Sequence, residues 1–156
     1  MSKKVKKLAV LLMSAFLVVS QLTTYVSAAN FEKVTTKECL SDGSYIETEI
    51  IFDNTRSTIT NARKRSTYKS VSGAALWYGE VTASFYFNGS TSRCTSASAS
   101  AGSYNNLWKI RSKSASQLGN TGTATIAASS YLPTGALVGT TQLVVSLSCD
   151  KNGNLT

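Results

Sequence analysis

The chain has 156 residues, of which 16 are basic, 8 are acidic, one is proline and none is histidine. The absence of histidine excludes a Ser-His-Asp or Cys-His catalytic site, and it excludes a zinc site with histidine ligands. The length is sufficient for one domain with its own hydrophobic core.

The first 28 residues have the three regions of a secretory signal peptide. Four lysines within residues 3–7 precede an apolar run over residues 8–19, and small residues at 26–28 precede the expected cleavage position. The apolar run is about a dozen residues long, whereas a membrane span needs roughly 20. We therefore predict a secreted protein without a stable membrane span after cleavage. Loss of the four lysines leaves twelve basic and eight acidic residues, a formal net charge of +4.

Period-two alternation of apolar and polar residues, which is typical of β-strands, runs through the rest of the chain, and helical periodicity is missing. The predicted strands are residues 44–52, 66–71, 75–87, 90–100, 107–116, 124–132 and 140–150. Residues 53–65 are predicted to form a polar connection.

About seven strands at this spacing predict an all-β protein. We expect a single-domain antiparallel β-sandwich, with an immunoglobulin-like arrangement or a small barrel as alternatives. The expected division of the chain is a signal peptide over 1–28, an N-terminal segment with one or two strands over 29–63, and a sandwich core over 64–156.

The dipeptide Asn88-Gly89 follows the most regular predicted strand and predicts a β-hairpin with a two-residue type I′ turn. Such a turn would place Ala83 opposite Cys94. Directly opposed residues share a face, so Cys94 is predicted to point into the core.

Cys149 falls on the apolar face of the last predicted strand. Two inward cysteines in an exported protein predict a disulfide between Cys94 and Cys149. Cys39 is then free, pairs between chains, or replaces one of the other two as a partner. A reactive thiol is not expected, because no histidine is present to activate it.

The basic residues outside the signal peptide are concentrated in two short stretches. The residues that we predict to contact an anionic surface are Arg63, Lys64, Arg65, Lys109, Arg111 and Lys113. The last three alternate along one predicted strand and would share a face. That face, together with Tyr78 and Tyr86, would suit an anionic polymer; a solvated loop and a solvated sheet face are the ordinary alternatives.

Other constellations predict no chemistry. Glu47 and Glu49 would share a face of a strand, which is the pattern of a solvent-facing acidic edge. The segment 149–155 lacks the distal acidic ligand of a calcium loop and is predicted to be a turn. We predict no catalytic residues, no metal, no cofactor and no nucleic-acid partner.

Three segments occur in order within residues 64–156: LWYGEVTASFYFNGSTSRCTS, LWKIRSKSAS and LSCDKNGNL. In this combination the chain resembles a loose set of small secreted proteins from Gram-positive bacteria. Their pattern is a Trp, an alternating strand that ends in Phe-x-Tyr-Asn-Gly, a Cys, a second Trp, an Ala-rich strand, and a final Cys before an Asn-Gly tail. Phe87 stands where the pattern has Tyr, and Cys39 lies outside it. The resemblance implies export, a β fold and a shared Cys94–Cys149 bridge, and it implies no active site.

These observations predict a monomeric, secreted, non-enzymatic binding or interaction module associated with the cell envelope. Its expected partner is an anionic cell-wall polymer or another extracellular protein. The alternative is a secreted antagonist, such as a bacteriocin-like toxin or an immunity factor.

Overall fold

The computed structural model describes residues 32–52 and 57–156. These residues form eight β-strands and no helix. The strands are β1 (Glu32–Cys39), β2 (Tyr45–Phe52), β3 (Thr58–Lys69), β4 (Ala75–Phe87), β5 (Ser92–Ser103), β6 (Trp108–Leu118), β7 (Thr121–Tyr131) and β8 (Leu137–Ser148). The predicted signal peptide lies outside the described residues.

The strands form two antiparallel sheets, one with the order β1-β2-β3-β4-β5 and one with the order β6-β7-β8. The three-stranded sheet packs against β3, β4 and β5. β1 and β2 extend beyond the area that it covers, and we call this two-stranded extension the wing. The predicted all-β class is confirmed, and two antiparallel sheets are consistent with the predicted β-sandwich.

The core lies between the sheets and is built from alternate residues of facing strands. Trp77, Val81 and Phe85 of β4 are at most 1% exposed, as are Ala124 and Ile126 of β7. Period-two alternation places these side chains on the inner face and their polar neighbours on the outer face. The pattern that predicted strands therefore also identifies the core.

Two inward glycines allow the sheets to approach closely. A Cβ atom at Gly79 would lie 2.7 Å from Cδ1 of Ile126, and one at Gly122 would lie 2.9 Å from Cβ of Ala83. Real Cβ atoms do not approach other heavy atoms so closely, because the interior is already close-packed. The close approach of β4 and β7 therefore requires glycine, which has no side chain, at both positions.

Four tight connections share one geometry, at residues 40–44, 70–74, 132–136 and 150–154. In each, the first amide donates to the fifth carbonyl, and the amide of the glycine at the fourth position donates to the first carbonyl. The four glycines have φ between +82° and +91°. A type I turn followed by a left-handed residue has this pattern, and glycine adopts that conformation at little cost.

The hairpin predicted at Asn88-Gly89 is confirmed, but the two-residue turn is wrong. The connection spans residues 88–91, and Phe85 rather than Ala83 lies opposite Cys94. The side-chain oxygen of Asn88 accepts two backbone N–H groups of the loop, at 3.1 and 2.9 Å. Within the loop only Gly89 has a positive φ, whereas a type I′ turn needs two such residues. The pairing register is shifted by two residues from the predicted one, and a shift by an even number keeps each side chain on the same face, so Cys94 still faces the core.

Most predicted strands are confirmed, and β4 has the predicted bounds. The predicted polar connection over 53–65 is wrong from Thr58 onward, because β3 begins there. Asn61, with φ +54°, interrupts the register between Ile59 and Ala62, which are both fully buried. This bulge puts inward residues three apart instead of two, which hides the strand from a search for strict alternation.

We expect Gly153→Ala to lower the free energy of unfolding by about 2 kcal/mol or more, because it combines backbone strain with a clash. Gly153 has φ +91°, and a Cβ there would lie 2.6 Å from Cζ of Phe87. Gly139→Ala is the matched control, since nothing lies within 4 Å of a Cβ at that position. Urea denaturation measures both variants, and a loss no larger at Gly153 than at Gly139 would contradict this account of the turn.

Candidate functional site

The basic and acidic residues are separated along the chain. Residues 81–149 include four basic residues and no aspartate or glutamate. Three of the four, Lys109, Arg111 and Lys113, are exposed on β6. The two ion pairs found among the described residues both lie in the five-stranded sheet. In this part of the chain, β6 therefore carries three cations that no carboxylate neutralises.

β6 contains a bulge at Arg111. The residues on either side of it, Ile110 and Ser112, pair with consecutive residues of β7, so the pairing skips Arg111. The prediction that the three cations of β6 share one face is therefore wrong. Lys109 lies on the outer face of the sheet, whereas Lys113 lies on the inner face beside β5. A bulge reverses the side-chain alternation beyond it and redirects the extra side chain.

A groove of about 370 Å³ is lined by residues of β5 and β6, and we call it the β6 groove. Its lining residues are Ala101, Ile110, Arg111, Ser112 and Lys113. Apolar atoms come from the first two, a hydroxyl from Ser112 and two cations from the others. A guanidinium can bind a phosphate or a carboxylate through two parallel hydrogen bonds, and an ammonium adds a compact charge. The groove can therefore hold an anionic group.

The outer face of the three-stranded sheet is rich in hydroxyls. Cross-strand hydroxyl pairs join β7 to β8 at 2.8, 3.1 and 2.7 Å: Thr121 with Ser148, Thr123 with Ser146, and Ser129 with Thr140. Lys109 stands at one end of this face, with Nζ 5.1 Å from the centre of the Tyr131 ring. The face thus offers hydrogen bonds and one cation beside the β6 groove.

The second predicted basic stretch is divided between the two faces of β3. Arg63 and Arg65 point outward, and Lys64 points inward. Nε of Arg65 donates to Glu80 at 2.9 Å, and its guanidinium lies 4.2 Å from the centre of the Tyr78 ring. A groove of about 210 Å³ on this face is lined by carboxylates as well as by the two arginines. The six predicted residues therefore do not form one basic surface, and this face is of mixed charge.

Lys64 lies in a third groove, of about 270 Å³, on the inner face of the wing. Val34, Ile50 and Leu155 contribute apolar atoms to its lining. Burial lowers the pKa of Lys64. Within the described residues, Lys64 has no ion-pair partner. This lysine is therefore a cost to folding rather than part of an exposed basic patch.

Cys94 and Cys149 are buried as predicted, at 8% and 0% exposure. The predicted disulfide between Cys94 and Cys149 is absent from the structure, in which all three cysteines are free thiols. Each buried thiol donates instead to a nearby carbonyl, Cys94 to Ser96 at 3.2 Å and Cys149 to Asp150 at 3.4 Å. Burial raises the pKa of both thiols, and with the charge of Asp150 it raises that of Cys149 to about 11.

Cys39 is exposed at the end of β1. β1 and β5 are the two edges of the five-stranded sheet, so Cys39 is four strand spacings, about 19 Å, from the strand of Cys94. A disulfide needs Cα atoms within about 7 Å. The backbone amides of Cys94 and Cys149 bind adjacent carbonyls, those of Gly119 and Asn120. The fold therefore separates Cys39 from both buried cysteines.

Two of the acidic residues in the described part of the chain, Glu47 and Asp150, accept hydrogen bonds from neighbouring groups. Glu47 accepts a hydrogen bond from Nζ of Lys69 at 2.7 Å. Asp150 accepts N–H groups from Asn152 and Asn154, so the predicted turn in residues 149–155 is confirmed. The described residues include no group of three side chains suited to hold a metal ion.

Comparisons with protein-family models, with curated proteins and with solved structures give no significant match to this chain. No helix among the described residues is long and apolar enough to cross a membrane.

We expect iodoacetamide to label Cys39 alone in the native protein, because the other two thiols are buried and have raised pKa values. Unfolding in urea without a reductant should then expose Cys94 and Cys149 to labelling. Mass spectrometry counts the labels. Labelling of these two only after reduction would show that they form a disulfide in solution.

We expect Lys64→Met to stabilise the protein by up to about 1 kcal/mol at neutral pH, because it removes a desolvated charge and keeps the apolar stem. The folded-state pKa of Lys64 lies below its ordinary value of 10.5, so the unfolded state binds the proton more tightly. The penalty is therefore complete at neutral pH and is relieved as the pH rises from the lowered pKa toward 10.5.

Urea denaturation at neutral and alkaline pH tests this expectation for Lys64. The exposed Lys151→Met variant controls for the loss of one charge. A gain that is equal in both variants, or that persists at alkaline pH, would show that the desolvation of Lys64 is not its cause.

Proposed function

We propose that the protein is an extracellular binding module that attaches to an anionic polymer of the cell envelope through the β6 groove. One observation carries this proposal. Arg111 and Lys113 line the same groove, and the described structure places no carboxylate within ion-pair distance of either. Unpaired cations in a partly apolar groove favour an anionic ligand over water.

The surroundings of the groove favour a polymer over a small molecule. The groove runs along the boundary between β5 and β6 and is open to solvent. The adjacent outer face of the three-stranded sheet offers the half-buried hydroxyl groups of Thr123 and Ser146 and the cation of Lys109. Successive anionic units of one polymer would therefore find both cations and hydrogen-bonding partners.

Export of the chain is part of this proposal. It is supported by the basic, apolar and small-residue regions of the first 28 residues and by the resemblance to small secreted proteins of Gram-positive bacteria. The N-terminal sequence of protein recovered from the culture medium tests it, with a start close to Ala29 as the expected result.

We expect the double variant Arg111→Gln/Lys113→Gln to bind isolated cell walls at least about tenfold more weakly than the wild type, a loss of about 1.4 kcal/mol. The matched control is Arg93→Gln/Lys151→Gln, which removes the same charge at exposed positions outside the groove. Binding of the wild type should also weaken as salt is raised, because exposed charges are screened. Sedimentation with the walls measures the bound fraction.

The same measurement on walls stripped of anionic polymers separates this function from others. Equal binding to intact and stripped walls, or equal losses in the two double variants, would contradict it.

A further inference from the structure

The exposed apolar side chains are concentrated at one end of the molecule. Among the described residues, nine large apolar side chains are exposed, and five of them lie at this end. These five, with their exposed fractions, are Val71 at 72%, Tyr104 at 55%, Leu132 at 51%, Leu137 at 61% and Val138 at 62%. They belong to the three connections 70–74, 104–107 and 132–136 and to the first two residues of β8, 137–138, and we call this set the apolar end.

Backbone hydrogen bonds join these connections into one surface. The amide of Tyr104 donates to the carbonyl of Leu76 at 2.9 Å, which ties the β5–β6 connection to the start of β4. The amide of Tyr131 donates to the carbonyl of Leu107 at 2.8 Å, which ties the end of β7 to the same connection. The apolar side chains therefore stand in fixed positions relative to one another.

Aromatic rings support this surface from beneath. The ring of Trp108 lies 6.0 Å from Trp77 and 5.5 Å from Tyr68, measured between centroids. The ring of Tyr104 lies 5.5 Å from Tyr78. These ring contacts brace the β5–β6 connection, which carries Tyr104 and leads into Trp108.

The charges are arranged in a way that suits an interface between water and hydrocarbon. The three connections of the apolar end include no charged residue. Directly behind them, Lys109 lies 5.1 Å from the centre of the Tyr131 ring, on the strand that begins at this end. Proteins that lie on membranes combine apolar tips with cations and tyrosines at the headgroup level. The remaining connection at this end, 40–44, carries Asp42 and borders the surface.

We propose that the apolar end docks onto a lipid bilayer with anionic headgroups, with its turn tips inserted at the boundary of the acyl chains. The five apolar side chains stand on three separate tips, with Leu132, Leu137 and Val138 together on one of them, and none of the five lines any of the three grooves described above. A fluid bilayer accommodates separate tips, whereas a folded partner requires one continuous complementary surface. Lys109 supplies the attraction to anionic headgroups. The proposal does not use the two cations of the β6 groove, and it shares only Lys109 with the polymer surface proposed above.

Sedimentation with vesicles of phosphatidylcholine, with or without phosphatidylglycerol, tests the proposal. We expect the wild type to bind the vesicles with phosphatidylglycerol. Leu137→Ser/Val138→Ser should lower the partition coefficient by at least about tenfold, because two apolar side chains lose their contact with acyl chains. Lys109→Gln should reduce the preference for phosphatidylglycerol and its sensitivity to salt.

The matched control is Leu118→Ser/Val144→Ser. Both residues are exposed, at 86% and 58%, but Leu118 lies at the opposite end and Val144 on the outer face of β8. Thermal unfolding checks that each variant retains the wild-type fold. Failure of the wild type to bind, or equal losses in the two double variants, would overturn the proposal.

Sedimentation velocity without vesicles tests whether a second copy of the chain, rather than a bilayer, binds the apolar end. Self-association of the wild type that Leu137→Ser/Val138→Ser abolishes, without vesicle binding, would overturn the proposal in favour of a second copy of the chain. The variant Leu137→Ser/Val138→Ser should bind isolated cell walls as the wild type does, because neither residue lines the β6 groove, so failure here and failure of the β6 groove remain distinguishable.

Discussion

Close contact between β7 and the pair β4 and β5 determines how the two sheets are placed. Facing sheets usually lie about 10 Å apart with side chains interdigitated. Here Gly79 receives Ile126, and Gly122 lies against Ala83 and Cys94, so backbone of one sheet meets side chains of the other. Larger residues at either glycine would force the sheets apart. The aromatic residues of the core are accommodated on both sides of this contact.

The position of β6 follows from that contact. With β7 held over β4 and β5, its neighbour β6 lies beside β5, along one side of the molecule. β6 pairs with β7 alone, so its other edge is open, and it can carry a bulge without disturbing a second strand. Because of the bulge, the cations of β6 do not stand in one row, and Arg111 and Lys113 line a groove beside apolar atoms. The candidate site is therefore a consequence of how the sheets meet.

The sequence predicts what local patterns determine. The 13-residue strand β4 was predicted with both bounds, because its alternation is unbroken. β3 was missed in part because its bulge at Asn61 shifts the inward positions and because its inner face includes Lys64 and Ser66. Prediction from hydrophobic periodicity relies on apolar residues at the inward positions, so an inward position occupied by a polar residue is not recognised.

The site was predictable only in its residue types. Alternation assigned the cations of β6 to one face, and the bulge at Arg111 could not be anticipated, since no glycine or proline marks it. The absence of carboxylates over residues 81–149 is visible in the sequence. The sequence alone does not show which strands lie beside β6. The structure shows that they are β5 and β7, so no strand with acidic residues lies beside the cations.

The wing gives the molecule two levels of stability. β1 and β2 are held by their own pairing and by β3, whereas β4 and β5 are also covered by the second sheet. Segments with few buried apolar contacts open at a lower free energy than the core. Amide hydrogens of the wing should therefore exchange with solvent through local opening, whereas those of β4 and β7 should exchange only on global unfolding. Such an opening would separate Ile50 from Leu155 and leave the β6 groove intact, because no residue of the wing lines that groove.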